Sequence, residues 1–282
     1  MSKVCIDAGH YGKYNVSPAN KAYYESVQMW RLHQLLEAEL KKRGVNVVVT
    51  RQNQAADLGL LTRGKKAKGC DLFLSLHSNA VANGVNEAVD YPVAYVLRPN
   101  ARTDIDDKSA EIGLILAKTV QSTMDTTQAA RTATRAASSD RDGNGVKDDE
   151  YYGVLEGARQ VGVPAVILEH SFHTQTRATN WLLQESNLQR LAVAEADAIA
   201  AWLKVKSPAQ DAPSGSPFPY SVRVTSTQLN IRSGPGTGYA KKGYIKPGVY
   251  TITAEADGKG ASKWLKLKSG AGWISADYAA KL

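Results

Sequence analysis

The chain has 282 residues and is 43% apolar, enough for one large domain or two smaller ones with a sizeable core. No apolar run approaches the ~20 residues of a membrane span. Two cysteines, Cys5 and Cys70, are too few for a disulfide scaffold, and no basic stretch leading into an apolar one opens the chain. The expectation is synthesis in a reducing cytoplasm without a signal peptide. The net charge of +8 is uneven: residues 220–282 hold 10 Lys+Arg against 3 Asp+Glu, whereas residues 1–219 hold 25 against 24. A basic C-terminal module suits a polyanion, whether nucleic acid, an anionic membrane or an anionic cell wall.

In chain order, Lys3-Val4-Cys5-Ile6-Asp7-Ala8-Gly9-His10 reads as a short apolar strand running into a histidine. A polar loop follows to about Tyr24. Glu25 to Arg43 is a helix, with Met29, Leu32, Leu36 and Leu40 on one stripe and Gly44 as its stop. Glu25 sits at the N-terminal end of that stripe, either as a first-turn acid favouring the helix dipole or as a carboxylate with a buried partner. Val45 to Thr50 is a β-branched strand, and Leu60–Lys68 a basic helical stretch. Asp71 to His77 is a second apolar run ending in histidine, followed by Asn79, a turn residue or a support for a neighbouring ligand.

Val93–Leu97 reads as a strand, Ile112–Val120 as a helix, and residues 125–150 as a polar loop over the site. Within it Asp140-Arg141-Asp142-Gly143-Asn144-Gly145 imitates the start of a calcium loop, but position twelve is Tyr151 where a glutamate is required, which favours a solvated turn. Tyr151 to Gln160 is helical. Pro164 to Glu169 is a third apolar run, ending in a carboxylate, and Trp181–Leu203 is a last amphipathic helix. His170 and His173 read as structural residues or as supports for the site, because a strand ending there spoils a shared helical face with Glu169.

Ligands of an open α/β sheet gather outside the carboxyl ends of its strands. Two imidazoles and two carboxylates delivered there suit a metal hydrolase, with three protein ligands, an open position for water and a base. Lys204 to Pro219, with Pro208, Pro213, Pro217 and Pro219, has linker composition. From Tyr220 the pattern changes to short strands with glycine turns: Ser221–Thr225, Leu229–Arg232, Tyr244–Ile245, Val249–Ala254, Trp264–Lys268 and Gly272–Ile274. Residues 1–203, 204–219 and 220–282 are thus expected to be an α/β domain, a linker and a small all-β barrel.

The motifs Asp7-Ala8-Gly9-His10, Glu25, Thr50-Arg51, Leu60–Arg63, Ser75-Leu76-His77-Ser78-Asn79, Gly145-Val146-Lys147 and Val163–Glu169 occur in an order that resembles the zinc-dependent N-acetylmuramoyl-L-alanine amidases of type 3. The resemblance implies an α/β fold with an open mixed sheet flanked by helices. It implies one Zn²⁺ on His10, Glu25 and His77, and Glu169 as the catalytic carboxylate. Two places depart from the family pattern: His170-Ser171-Phe172-His173-Thr174 replaces the usual Gly-Phe and Asn, and Tyr11 stands where glycine is common. Leu229–Gly236 and Gly272–Tyr278 look like a bacterial SH3-like wall-binding domain, with Trp264, Trp273, Tyr278 and Arg232 as candidate wall contacts.

The mechanism so implied is hydrolysis of the amide between muramic acid and L-alanine of peptidoglycan, with Glu169 as base and Lys147 either helping at the oxyanion or lying on the surface. A zinc peptidase cutting inside the stem peptide would carry the same site residues, and a wall-binding adhesin is the non-enzymatic alternative. The partners expected are peptidoglycan and anionic wall polymers, with no nucleic acid. A wall hydrolase without a signal suggests a phage or prophage endolysin released through a holin-type lesion; a host autolysin or a spore mother-cell lysis enzyme is the alternative.

Overall fold

The computed structural model describes residues 2–82, 84–99, 103–140, 143–146, 149–205 and 218–282. The chain divides into two compact units, Met1–Ala209 and Gln210–Leu282. Lys147, and linker residues 206–217, lie outside the described residues.

The first unit holds strands β1 (Lys3–Ala8), β2 (Asn46–Val49), β3 (Leu72–Asn79), β4 (Val93–Val96), β5 (Arg131–Ala133) and β6 (Ala165–Phe172). They form one sheet in the order β2-β1-β3-β6-β4-β5. β2, β1, β3 and β6 run parallel, β4 is antiparallel to β6, and β5 is parallel to β4. The helices are α1 (Glu25–Lys42), α2 (Leu60–Lys65), α3 (Thr103–Met124), α4 (Gly153–Gln160), α5 (Thr176–Leu182) and α6 (Glu185–Trp202).

Central strands covered on both faces must be apolar throughout, which is why β1, β3 and β6 read as unbroken apolar runs. Their side chains alternate between two cores. Val4, Ile6, Leu74, Leu76, Val166 and Leu168 pack with Met29, Leu36, Leu116 and Leu191 from α1, α3 and α6. Cys5, Phe73, Ala165 and Ile167 pack with Val154, Leu155 and Ala158 of α4. Asp7, Ser75, His77 and Glu169 share the parity of this second set, so the polar strand ends gather on the α4 side.

There α2 and α4 cross closely: a Cβ on Gly157 would stand 2.3 Å from the Leu61 carbonyl oxygen and 3.1 Å from Gly64 Cα. Only paired glycines permit that approach, and it places Leu60, Gly153 and Val154 along the wall of the cleft.

Several elements differ from expectation. The polar stretch 125–150 contains β5, a three-residue edge strand whose Arg131 and Thr132 are exposed, so no apolar alternation marks it. The helix expected over Ile112–Val120 runs from Thr103 to Met124, its first turns being acidic, with Asp106 buried against Arg159. The helix expected over Trp181–Leu203 is two, broken at Gln184, which adopts an extended conformation. The helix expected from Leu60 to Lys68 ends at Lys65, and the one expected from Tyr151 begins at Gly153. β6 continues past Glu169 to Phe172.

The second unit is an antiparallel sheet of β7 (Tyr220–Val224), β8 (Leu229–Arg232), β9 (Lys241–Ile245), β10 (Gly248–Ala256), β11 (Trp264–Leu267), β12 (Trp273–Ser275) and β13 (Ala279–Lys281). Its order is β13-β7-β10-β11-β12-β8-β9. Val222, Val224, Leu229, Ile245, Ile252, Leu265, Leu267 and Ile274 form its core. Among the described residues no helix is long and apolar enough to cross a membrane.

Candidate metal centre

At the carboxyl ends of β1, β3 and β6 a cavity of about 540 Å³ opens between the sheet, α2 and α4. His10 follows β1, His77 ends the regular part of β3, Glu169 lies beside it on β6, and Glu25 opens α1; all four line the cavity. His10 Nε2 is 3.2 Å from Glu25 Oε2, and His77 Nδ1 is 2.9 Å from Glu25 Oε1. One ligand atom from each of His10, Glu25 and His77 falls within 4.8 Å of the others. Donors at about 2.0–2.1 Å around one tetrahedral ion stand about 3.3 Å apart, so this spacing and the two-imidazole, one-carboxylate set suit zinc.

The backbone is held to make this arrangement. His10, Asn15 and Ser171 have φ of 56°, 53° and 59°, in the left-handed region that non-glycine residues rarely occupy. Such strain persists only where surrounding contacts fix it. Below His10, buried Asp7 accepts hydrogen bonds from Arg63 at 2.8 and 2.7 Å, from Ser75 Oγ at 2.7 Å and from Thr50 Oγ1. Arg63 and Arg51 also donate to the Ala8 carbonyl, two residues before His10. Gly9 lies flat under the His77 ring: a Cβ there would sit 2.5 Å from His77 Cε1.

Glu25 is 2% exposed and accepts from Asn15 Nδ2 at 2.7 Å and from the Ser78 N–H at 3.1 Å. Burial alone would raise its pKa, but His10 and His77 beside it hold the carboxyl well below the usual range. Glu169 is the opposite case. Its Oε2 is buried without a hydrogen-bond partner, and burial, helped by the nearby Glu25 charge, pushes its carboxyl well above the usual range. Two neighbouring carboxylates thus occupy environments that drive their protonation apart, as expected of an acid–base site.

A family match decides the chain's affiliation: residues 4–201 fit the family described as N-acetylmuramoyl-L-alanine amidase. The chain belongs to the N-acetylmuramoyl-L-alanine amidase family. Solved amidases share the fold. The catalytic domain of CwlV from Bacillus (Paenibacillus) polymyxa var. colistinus is 24% identical with a TM-score of 0.57, the match covering 73% of this chain and 100% of that one. The N-acetylmuramoyl-L-alanine amidase of Clostridium difficile 630 is 21% identical with a TM-score of 0.58, over 73% and 98% of the two chains. AmiC2 of Nostoc punctiforme is 22% identical with a TM-score of 0.56, over 72% and 97%. No match to a curated protein sequence was found.

The remaining site residues of this amidase occupy separate places. Asn79 lines the cavity, yet its side chain accepts from the Ala80 N–H and its carbonyl from the His173 N–H, so it ties the end of β3 to the chain after β6. His170 points to the other face of the sheet. It is fully buried, with Nε2 2.8 Å from Glu195 Oε1 on α6 and Nδ1 2.8 Å from the His77 carbonyl oxygen. His173 reaches the cavity wall, where its Nδ1 is 2.8 Å from the Ser78 carbonyl oxygen and its ring stacks on Tyr23. A neutral imidazole donates to that carbonyl through Nδ1, and burial holds its pKa below the ordinary value.

Asn15, Asp7, Arg63 and Ser78 complete the constellation. Asn15 had no sequence signal, since its part rests on a left-handed loop residue. In the second unit, Trp264 is 3% exposed and belongs to the interior, and Trp273 is half-buried beneath Lys266. Arg232 donates to the carbonyls of Thr237 and Tyr239, while Tyr278 is exposed, as are Tyr239 and Tyr244.

Proposed function

We propose that the first unit is a zinc-dependent hydrolase of peptidoglycan that cleaves the amide between N-acetylmuramic acid and L-alanine. The observation that carries this reading is the convergence of His10, Glu25 and His77 beside a buried, unpartnered Glu169 in a chain of this family. Zinc held by those three residues supplies Lewis acidity and lowers the pKa of water at the site.

The chain's own residues do the rest. Asp7, Arg63 and Asn15 fix His10, and Gly9 lets the His77 ring lie close. Glu25 stays ionised between the two imidazoles. Glu169 accepts the proton of the attacking water on its carboxylate and hands it to the leaving L-alanine amine, a cycle suited to a carboxyl that burial lifts above the ordinary carboxylate range. Leu60, Tyr152 and Val154 wall the cleft and exclude bulk water from the reacting amide. Lys147, outside the described residues, has no role assigned. Glu169→Gln should keep zinc and lose turnover, whereas His10→Ala should lose both; full turnover of Glu169→Gln would remove the base assignment.

We propose further that residues 220–282 form an SH3-like wall-binding domain joined by linker 204–219. Its charge of +7 and exposed Tyr239, Tyr244 and Tyr278 support contact with anionic wall polymers and glycan. A lysin made in the host cytoplasm and released through a holin-type membrane lesion fits the two free, buried cysteines. Expression in a host with and without a membrane-permeabilising protein tests this, since lysis should require both.

A further inference from the structure

The cavity floor is acidic, with Glu25 and Glu169, and the Arg63 guanidinium on its wall is bound to Asp7. A second cation stands at the rim. Beyond β5, Arg135-Ala136-Ala137 runs antiparallel to Asp149-Glu150-Tyr151. The Tyr151 N–H donates to the Arg135 carbonyl and the Ala137 N–H to the Asp149 carbonyl, both at 2.9 Å, and a bridge joins Ala136 to Glu150. This ribbon brings Arg135 over Tyr151, with the guanidinium carbon 3.5 Å from the ring centroid. Tyr151 lines the cavity, as does Tyr152, whose phenol oxygen accepts a hydrogen bond from Arg135 and lies close enough to Glu169 to feel its charge.

Glu150 is fully buried and accepts from the Arg98 N–H and the Arg159 guanidinium. Arg135 itself is exposed and, among the described residues, makes no ion pair. Stacking engages the face of the guanidinium and the Tyr152 phenol takes one of its N–H groups, so the remaining donors of the planar fork are left to match a carboxylate.

We propose that Arg135, held on Tyr151, is a subsite for a substrate carboxylate: the free α-carboxylate of the second stem-peptide residue. The inference rests on the amidase reading. In peptidoglycan that residue is a γ-linked glutamate whose α-carboxyl is either free or a carboxamide. It follows L-alanine directly, within about 7 Å of extended chain from the alanine. Arg135 therefore makes the enzyme prefer acidic over amidated stems.

The test uses the full chain and two soluble muropeptides that differ only in carboxylate against carboxamide at that position. The wild type should have the lower KM for the acid. Arg135→Gln should raise KM for the acid about 10- to 100-fold, the range of a charge-assisted hydrogen-bonded pair, with kcat unchanged and the amidated substrate unaffected. Arg135→Lys should restore part of the preference, and Tyr151→Leu should lose part of it. Equal wild-type KM for both muropeptides overturns the subsite alone. An equal loss on both substrates in Arg135→Gln, with a lowered Tm, also overturns it and makes Arg135 structural. No cleavage of either muropeptide by the wild type overturns the amidase reading and the subsite with it.

Discussion

Gly9→Ala is the most informative single change because it adds one methyl group directly against a proposed ligand. The new Cβ would stand 2.5 Å from His77 Cε1 and 2.7 Å from both ring nitrogens, where ordinary contact begins at 3.4 Å. The ring must therefore retreat by about 0.9 Å, several times the ~0.2 Å tolerance of a metal–ligand distance. His77 is 18% exposed at its side chain, so it has room to move and the core strands need not follow. Zinc affinity should fall about 10- to 100-fold, the usual cost of disturbing the support of a ligand, while Tm of the metal-free protein changes by only a few degrees. Competition against a chromophoric chelator reads the affinity, and calorimetry of the apo protein reads the fold. Unchanged affinity and turnover in Gly9→Ala would refute the placement of His77 in the metal set.

Gly157→Ala should destabilise the first unit although alanine favours helix by about 1 kcal/mol, because the atoms it meets are backbone of α2. A net loss of about 2 kcal/mol corresponds to a Tm lower by about 4–8 °C, and a Tm at or above wild type would contradict the close crossing. His33, 3% exposed and stacked on Trp30, is pushed by burial from 6.5 down to about 4. The unfolded chain then binds more protons between pH 6.5 and 4, so stability should fall as pH drops through that window, by up to about 1.4 kcal/mol per pH unit. His33→Leu should flatten this dependence in urea titrations; an unchanged slope rejects the assignment. Residues 1–203 alone should cleave soluble muropeptides yet act more slowly on intact walls, and residues 220–282 alone should bind walls in a salt-sensitive way. Equal lysis of whole cells by residues 1–203 and by the full chain would remove the targeting role.

Much of the site is visible in three strands. β1, β3 and β6 are apolar because both faces are covered, so the histidines and the carboxylate that end each run mark where the strands reach the cavity. Glu25 is legible as an acid at the head of an apolar stripe. Strand parity also separates Glu169 from His170, since adjacent residues point to opposite faces, but only once β6 is known to continue to Phe172. The partner of His170 is Glu195, in the middle of α6, and helical period alone does not say which strand residue it faces. β5 and the ribbon at Arg135 stay hidden for a different reason: an exposed edge strand buries too little to impose an alternation. Asn15 is hidden because its reach to His10 and Glu25 depends on a left-handed backbone that asparagine tolerates but does not announce.

Digestion of purified peptidoglycan by the full chain, with mass analysis of the products before chelation, after chelation and after Zn²⁺ is restored, tests the central claim most directly. The expected products carry free lactyl carboxylates on muramic acid and free L-alanine amino termini; they should cease with chelator and return with zinc. New termini inside the stem peptide, or undiminished cleavage by protein verified to be metal-free, would contradict it.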